Sequence, residues 1–361
     1  MFNIRLSKND NMAFGKKMLC RVLGMFLALI VCAIVIVSIT KQNPLEIYGG
    51  ILKGAFGSRR RIWSTVRDTL VLLLVAIGLV PAFKMKFWNI GAEGQMLMGG
   101  LASALLMIYC KGIPNGILLP MIVVLSALFG MIWAIIPAYF KAKFNTNETL
   151  FTLMLNYVAM QIISFCITFW EKPVGSNTVG IINMDTHAGW FPELFGRGSF
   201  GFNVIFVLII AVAVTFYIKY TKHGYELTVV GESWDTAIYA GINVKKVIIR
   251  TMALSGAICG LAGCLVVAGA SHTISTTLSD GRGFTAIIVA WMSNFNMGAM
   301  TGISLLLCTM ESGAVQIASQ FGLNENVSDI ITGILLFFLI GSEFFTRYRI
   351  NFQKETKREA Q

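Results

Sequence analysis

Charge is scarce in this chain. Only 13% of its 361 residues are Asp, Glu, Lys or Arg, against 56% hydrophobic, far too apolar for a water-soluble domain of that length. Histidine is almost missing: there are three, His187, His223 and His272, and no HExxH pair, which excludes the zinc-protease helix. No GxxxxGK[ST] stretch occurs, so the chain cannot cradle ATP phosphates in that way, and energy for any work must come from a partner or a gradient. The seven cysteines, Cys20, Cys32, Cys110, Cys166, Cys259, Cys264 and Cys308, form no CxxC and have no His at metal-ligand spacing. They read as small buried hydrophobes. No metal, cofactor or catalytic residue is expected, and an enzyme is the weakest of the available classes.

What is abundant is long apolar sequence. Runs of about 18 residues or more recur along the whole length, the signature of bilayer-spanning helices. Ten are placed by hydropathy, at 18–39, 68–83, 87–109, 114–138, 149–170, 202–218, 247–269, 283–293, 300–318 and 329–346, the eighth too short to cross alone. The first is too long for a signal-peptide core and lacks a small-x-small cleavage site, so it reads as a retained helix. The expected fold is all-α, a polytopic membrane protein of about ten transmembrane or partly embedded helices. Its organisation reads as a cytoplasmic tail (1–17), one transmembrane domain (18–346) and a basic cytoplasmic tail (347–361).

With the N-terminus inside, 19 of the 29 Lys and Arg residues fall on the cytoplasmic side, which favours both termini in. The misfit is "SRRRIWSTVR", Ser58 to Arg67, which puts four arginines outside unless the second boundary is misplaced. Two connections stand out. Residues 171–201 are long and rich in Gly and Pro, suited to an ordered extracytoplasmic loop or a short interfacial helix. Residues 219–246 are basic at both ends and carry a short helix from Ser233, a candidate N-cap, to Ala240, stopped by Gly241.

Polar residues within spans cost insertion free energy and therefore mark sites or tight packing. "FWNIGAEGQMLMGG", Phe87 to Gly100, carries Asn89, Glu93 and Gln95 among four glycines. Taken from a helix start at 87, Glu93 lies roughly 9 Å below that start at 1.5 Å per residue. Two compatible readings stand: it caps the amides of a broken helix, or it lines a solute path at the break. The three polar residues do not share one helical face, so not all can line one path. A second glycine break, "DGRGFTA", precedes the eighth span and brings Phe284 beside it. By the charge-based topology the two breaks face opposite sides, as in an inverted repeat. Asn156 and Glu311 complete the pathway candidates, while Gly256 and Gly260 form a GxxxG that reads as packing.

Four segments carry a resemblance. "FWNIGAEGQMLMGGLASA", "NETLFTLMLNYVA", "YAGINVKKVIIRTMALSGAICGLAG" and "GRGFTAIIVAWMSNFNMGAM" resemble, in order and spacing over roughly 45–345, permease subunits of ABC importers for nucleosides, simple sugars and branched-chain amino acids, nearest the nucleoside and simple-sugar branch. "AWMS" (Ala290 to Ser293) departs from the more aliphatic sequence usual there, and Met297 stands where Pro is common.

The resemblance implies half of a translocation path, a second permease subunit that is related or identical, a cytoplasmic ATP-binding subunit and an extracytoplasmic binding lipoprotein, in a bacterial cytoplasmic membrane. It further implies that "GESWDTAIYAGI" docks into the ATPase, through Gly231, Glu232, Ser233, Ala237, Tyr239, Ala240, Gly241 and Ile242. The alternative is an ion-coupled secondary transporter of a small polar solute, which would need intramembrane carboxylates for coupling; Glu93 and Glu311 are the two well inside spans.

Overall fold

The structure is a computed structural model and describes residues 2–8, 14–40, 43–196, 200–320, 322 and 326–354. Its helices are α1 (Phe14–Thr40), α2 (Pro44–Phe56), α3 (Arg59–Lys84), α4 (Ala92–Tyr109), α5 (Asn115–Phe144), α6 (Glu148–Trp170), α7 (Gly201–Tyr220), α8 (Lys222–Glu232), α9 (Trp234–Tyr239), α10 (Val244–Val266), α11 (Arg282–Met292), α12 (Met297–Gln320) and α13 (Asn326–Arg347). A π-helical stretch, Val267–Ser271, extends α10. Each of the ten expected spans coincides with a helix. Six described helices are long and apolar enough to cross a bilayer, and Leu23–Ser38 and Arg282–Met292 are shorter apolar segments. This is a multi-pass, helical membrane protein.

Several expected boundaries move. The second span begins at Arg59 rather than at 68, so Arg59, Arg60, Arg61 and Arg67 sit on the opening turns of α3, and α2, too short for a span, precedes it. The third helix begins at Ala92, five residues later than its hydropathy suggests, because Phe87–Gly91 is a non-helical break. Glu93 is therefore in the first turn of α4 and not 9 Å along it. Residues 171–196 hold turns and no helix.

The chain divides into two compact units, one of residues 1–61 and 307–361, the other of residues 62–306. In the first, α1, α2, α12 and α13 contribute a core of Ala28, Cys32, Ile36, Ile47, Ile51, Ala314, Ile317 and Ile331. Gly54 and Gly313 allow the α2–α12 contact, since a Cβ on Gly54 would lie 2.9 Å from the Gly313 Cα. Two segments expected as tails instead pair as antiparallel strands, β1 (Phe2–Lys8) with β2 (Tyr348–Lys354), so both ends of the described chain lie on one side.

The second unit is built on α10. Along it, Asn89 meets Ser255 at 3.2 Å, and Cβ atoms on Gly263 and Gly100 would meet the Met96 carbonyl and Val267 at 2.0 and 3.3 Å, so α4 runs beside α10 in the same direction. Helix α5 runs the other way: a Cβ on Gly260 would reach the Ser126 carbonyl at 2.4 Å and one on Gly256 the Gly130 carbonyl at the same distance. Between α4 and α5, Ser103 and Ser126 share a hydrogen bond of 2.8 Å. Gly256 and Gly260 thus serve packing. In lipid, where no hydrophobic force draws helices together, such backbone contact through small residues supplies the attraction. Helix α7, by contrast, leaves Leu208, Ile209, Val212 and Phe216 exposed, an apolar face suited to acyl chains.

Candidate functional site

The break before α4 is held in shape by its own polar residues and two from α6. Asn89 and Gln95 pair reciprocally, Nδ2 to Oε1 at 3.3 Å and Nε2 to Oδ1 at 3.1 Å. Asn89 also donates to Ser255 and accepts from the Gly91 amide at 3.0 Å. Asn156 donates to the Ile90 carbonyl and accepts from the Gly94 amide, both at 2.9 Å. Four residues earlier on the same face of α6, Thr152 accepts from the Ile90 amide at 3.2 Å. A broken helix in a bilayer must re-satisfy its freed backbone groups within the protein, and these side chains do so. Asn89, Glu93, Gln95 and Asn156 are all buried.

Glu93 points the other way, to the second glycine break. Its Oε1 accepts from the Gly283 amide at 2.9 Å, while Ser279 and the Phe284 amide lie around the same carboxylate. A Cβ on Gly283 would come within 2.7 Å of the Glu93 amide nitrogen, so only glycine permits this approach. The carboxylate thus sits in the first turn of α4 and caps the first turn of α11, where both helix dipoles favour a negative charge.

The two breaks therefore enter from opposite ends of α10, Phe87 beside Val247 and the 272–281 loop beside Val266 and Ala270, and they meet. The meeting point lies beside Ser255 and Cys259 of α10, roughly 17 to 23 Å from that helix's start at 1.5 Å per residue, which is deep in the bilayer. From it α4 runs toward Tyr109. Helix α11 departs in the opposite direction, bringing Trp291 onto Trp88 (ring centroids 5.4 Å apart, 15° between planes) and near Phe83 at 5.9 Å. Two half-helices thus leave one buried carboxylate in opposite directions.

Phe284 is 45% exposed at the start of α11. Glu311 lies on α12 in the other unit. Sequence reasoning passed over Thr152, Ser255, Trp88 and Trp291. Trp88 and Trp291 stand inside quoted segments, but nothing in the order of residues says that they stack.

The loop element takes the form its residues suggest. The Ser233 hydroxyl accepts from the Thr236 amide at 3.3 Å, capping α9, and Gly241, with φ +75°, ends it in a conformation other residues rarely adopt. The eight residues divide by direction. Ala237 is buried in a core with Ala82, Phe87, Leu227, Val230 and Val247, against which Ile242 packs, and Gly231 abuts the Lys84 carbonyl. Glu232, Tyr239, Ala240 and Gly241 face outward, Tyr239 with 92% of its surface free.

At the opposite end, residues 171–196 fold back onto the end of α10. The Ile182 amide donates to the His272 carbonyl and the Phe191 amide to the Ala268 carbonyl, each at 2.8 Å. Trp190 stacks on His272 with centroids 3.7 Å apart and planes 4° from parallel. Burial pushes His272 down to about 4, an effect that His187 reinforces and Glu193 opposes.

Fold and site together define a membrane permease. Residues 61–340 match the family described as branched-chain amino acid transport system / permease component, and the chain belongs to it. It is similar to the glucose ABC transporter permease protein of Haloferax volcanii, 28% identical over 91% of this chain and 88% of that one. It is also similar to the nucleoside ABC transporter permease of Lactococcus lactis, 27% identical over 82% and 84%, and to the guanosine ABC transporter permease of Bacillus subtilis, 28% identical over 82% and 85%. Family membership favours a permease component over the ion-coupled transporter considered from sequence.

Proposed function

We propose that this chain forms half of the translocation path of an ATP-driven importer for a nucleoside or a simple sugar, working with a second permease subunit, a cytoplasmic ATP-binding subunit and an extracytoplasmic binding protein. The substrate class rests on the relatives' names. The observation that carries the coupling is α9. A chain without a phosphate-binding loop presents an exposed tip, Tyr239 to Gly241, backed by Ala237 in a core shared with α3, α5, α8 and α10. A push on that tip is delivered to α3, the helix that leads into the break before α4, and to α10, which runs beside it. Small residues at the tip let a partner surface approach closely, and Tyr239 supplies the anchor.

The test is reconstitution with an ATP-binding subunit and a binding protein that co-purify with it, measuring uptake of labelled uridine, guanosine and glucose. Uptake should require ATP, be vanadate-sensitive and survive an ionophore; collapse by the ionophore would overturn the reading. Ala240→Arg places a long charged side chain at the tip and should abolish uptake while the permease still inserts. Normal uptake in that variant would move the contact elsewhere.

A further inference from the structure

Close to the junction of the half-helices lies a polar cavity of about 300 Å³, formed by the start of α3, the end of α10 with its π-helical stretch, and the 272–281 loop that leads into α11. Four hydroxyl side chains line it, Ser271, Thr273, Ser275 and Thr277, over a floor that includes Val71, Val266 and Leu278. Its charged lining is Arg67, Asp68, Asp280 and Arg282, which sum to no net charge. No aromatic ring is among the lining residues.

Asp68 governs those charges. Its Oδ1 lies 3.0 Å from Arg67 and 3.0 Å from Arg282, and a second contact joins Arg67 to Oδ2 at 3.1 Å. One carboxylate therefore engages two guanidinium groups, on a side chain only 13% exposed. Arg282 is also the first residue of α11, adjacent to the Gly283 amide that Glu93 caps.

We infer that this cavity receives the hydroxyl-bearing ring of a neutral solute, the ribose of a nucleoside or the pyranose of a sugar, and that Asp68 sets its selectivity against phosphorylated solutes. The inference rests on the importer reading above and adds to it a place and a rule of discrimination. Serine and threonine hydroxyls donate and accept, matching solute hydroxyls that do the same. A phosphate would require free guanidinium groups, which bind it bidentately and strongly. Here Asp68 takes the Nε and Nη2 donors of Arg67 and one donor of Arg282, offsetting their charge, and a second anion beside Asp68 and Asp280 would be repelled. Rejection of the phosphorylated form is thus built from one residue holding two others.

The experiment uses the assembled transporter in proteoliposomes, with uptake of labelled uridine and of labelled glucose as two arms that separate the two sources of the ring. Absence of ATP-driven uptake of any neutral solute by the unaltered protein would count against the importer reading itself. Given such uptake, Asp68→Asn should raise inhibition by uridine 5′-monophosphate or glucose 6-phosphate about tenfold, the scale of one charge-assisted contact. An Asp68→Asn transporter that assembles and keeps its original selectivity overturns the inference. Because Asp68→Asn removes an ion pair and could impair assembly, Ser275→Ala with Thr277→Val gives an independent arm on loop positions. That pair should raise KM for the neutral solute several-fold with kcat little changed, and an unaltered KM overturns the inference equally.

Discussion

The carboxylate of Glu93 accepts a hydrogen bond from the amide of Gly283 at 2.9 Å, across 190 residues of chain. The contact ties together two helix starts that a membrane cannot hydrate. Each start leaves unsatisfied amides and the positive end of a dipole, and placing both against one carboxylate compensates two defects with a single buried charge. Since α4 and α11 run in opposite directions from this point, a change at the contact alters both half-helices together.

Substitution at Glu93 separates the charge from the acceptor. Glu93→Gln keeps an oxygen that can accept from Gly283 and loses the charge–dipole attraction, worth about 0.3 to 1 kcal/mol and up to roughly 2 where partly buried. It should lower thermal stability modestly. Glu93→Leu leaves the Gly283 amide unpaired, a cost of about 1 to 3 kcal/mol, and should reduce the yield of folded protein. Uptake normalised to assembled complex then decides the role. Loss of activity per complex in the Leu variant marks a transport role, and full activity per complex marks a cap alone.

The glycines differ in what surrounds them. A Cβ on Gly99 would lie 2.1 Å from the Gly260 carbonyl oxygen, whereas one on Gly302 would meet nothing within 4 Å. Gly99→Ala should therefore force α4 from α10 and destabilise by about 1 to 3 kcal/mol, as overpacking does. Gly302→Ala, in a helix interior with open space, should stabilise by about 0.5 to 1 kcal/mol. Thermal unfolding of the isolated subunit in detergent checks both, and equal shifts would contradict the packing described.

The helices were largely legible because the bilayer forces each into a long apolar run. The break before α4 was legible only in part. Glycines and polar residues mark it, but hydropathy cannot distinguish the non-helical residues of Phe87–Gly91 from helix, so it places the start of α4 too early. Asn89, Gln95 and Asn156 stood out as costly residues in spans. That they would bind one another and the broken backbone depends on α6 and α10 packing alongside, contacts separated by 62 and 166 residues. The pairing of Asp68 with Arg282 was equally hidden, since Asp68 falls where an apolar run begins and Arg282 in a glycine-rich loop.

Orientation can be read with impermeant thiol reagents once the native cysteines are replaced. Gly189 is a poor reporter, because with φ +82° its Cβ would fall 2.6 Å from the Met107 side chain. Val174, 92% exposed in the 171–196 segment, is a good one, and Thr236 on α9 is its counterpart. In intact cells Val174→Cys should be labelled and Thr236→Cys protected, as the positive-inside distribution requires. The reverse pattern would place α9 outside and remove its docking role.

The stack of Trp190 on His272 should give the 171–196 segment a pH dependence. His272 has its pKa pushed from 6.5 down to about 4, chiefly by burial, so the folded protein holds it neutral where the unfolded chain is already protonating. Between those values the unfolded state binds more protons, and stability rises with pH. The stabilisation is accordingly full above about pH 6.5 and is lost as pH falls toward 4. The Val267 carbonyl and Glu193 favour the protonated ring, but burial outweighs them. Proteolysis confined to the 171–196 segment should accelerate over that interval in the unaltered protein. In His272→Phe, which keeps a ring against Trp190 but cannot titrate, the rate should stay flat across the same range after correction for the protease's own pH profile. A parallel rise in the Phe variant would assign the effect to another group.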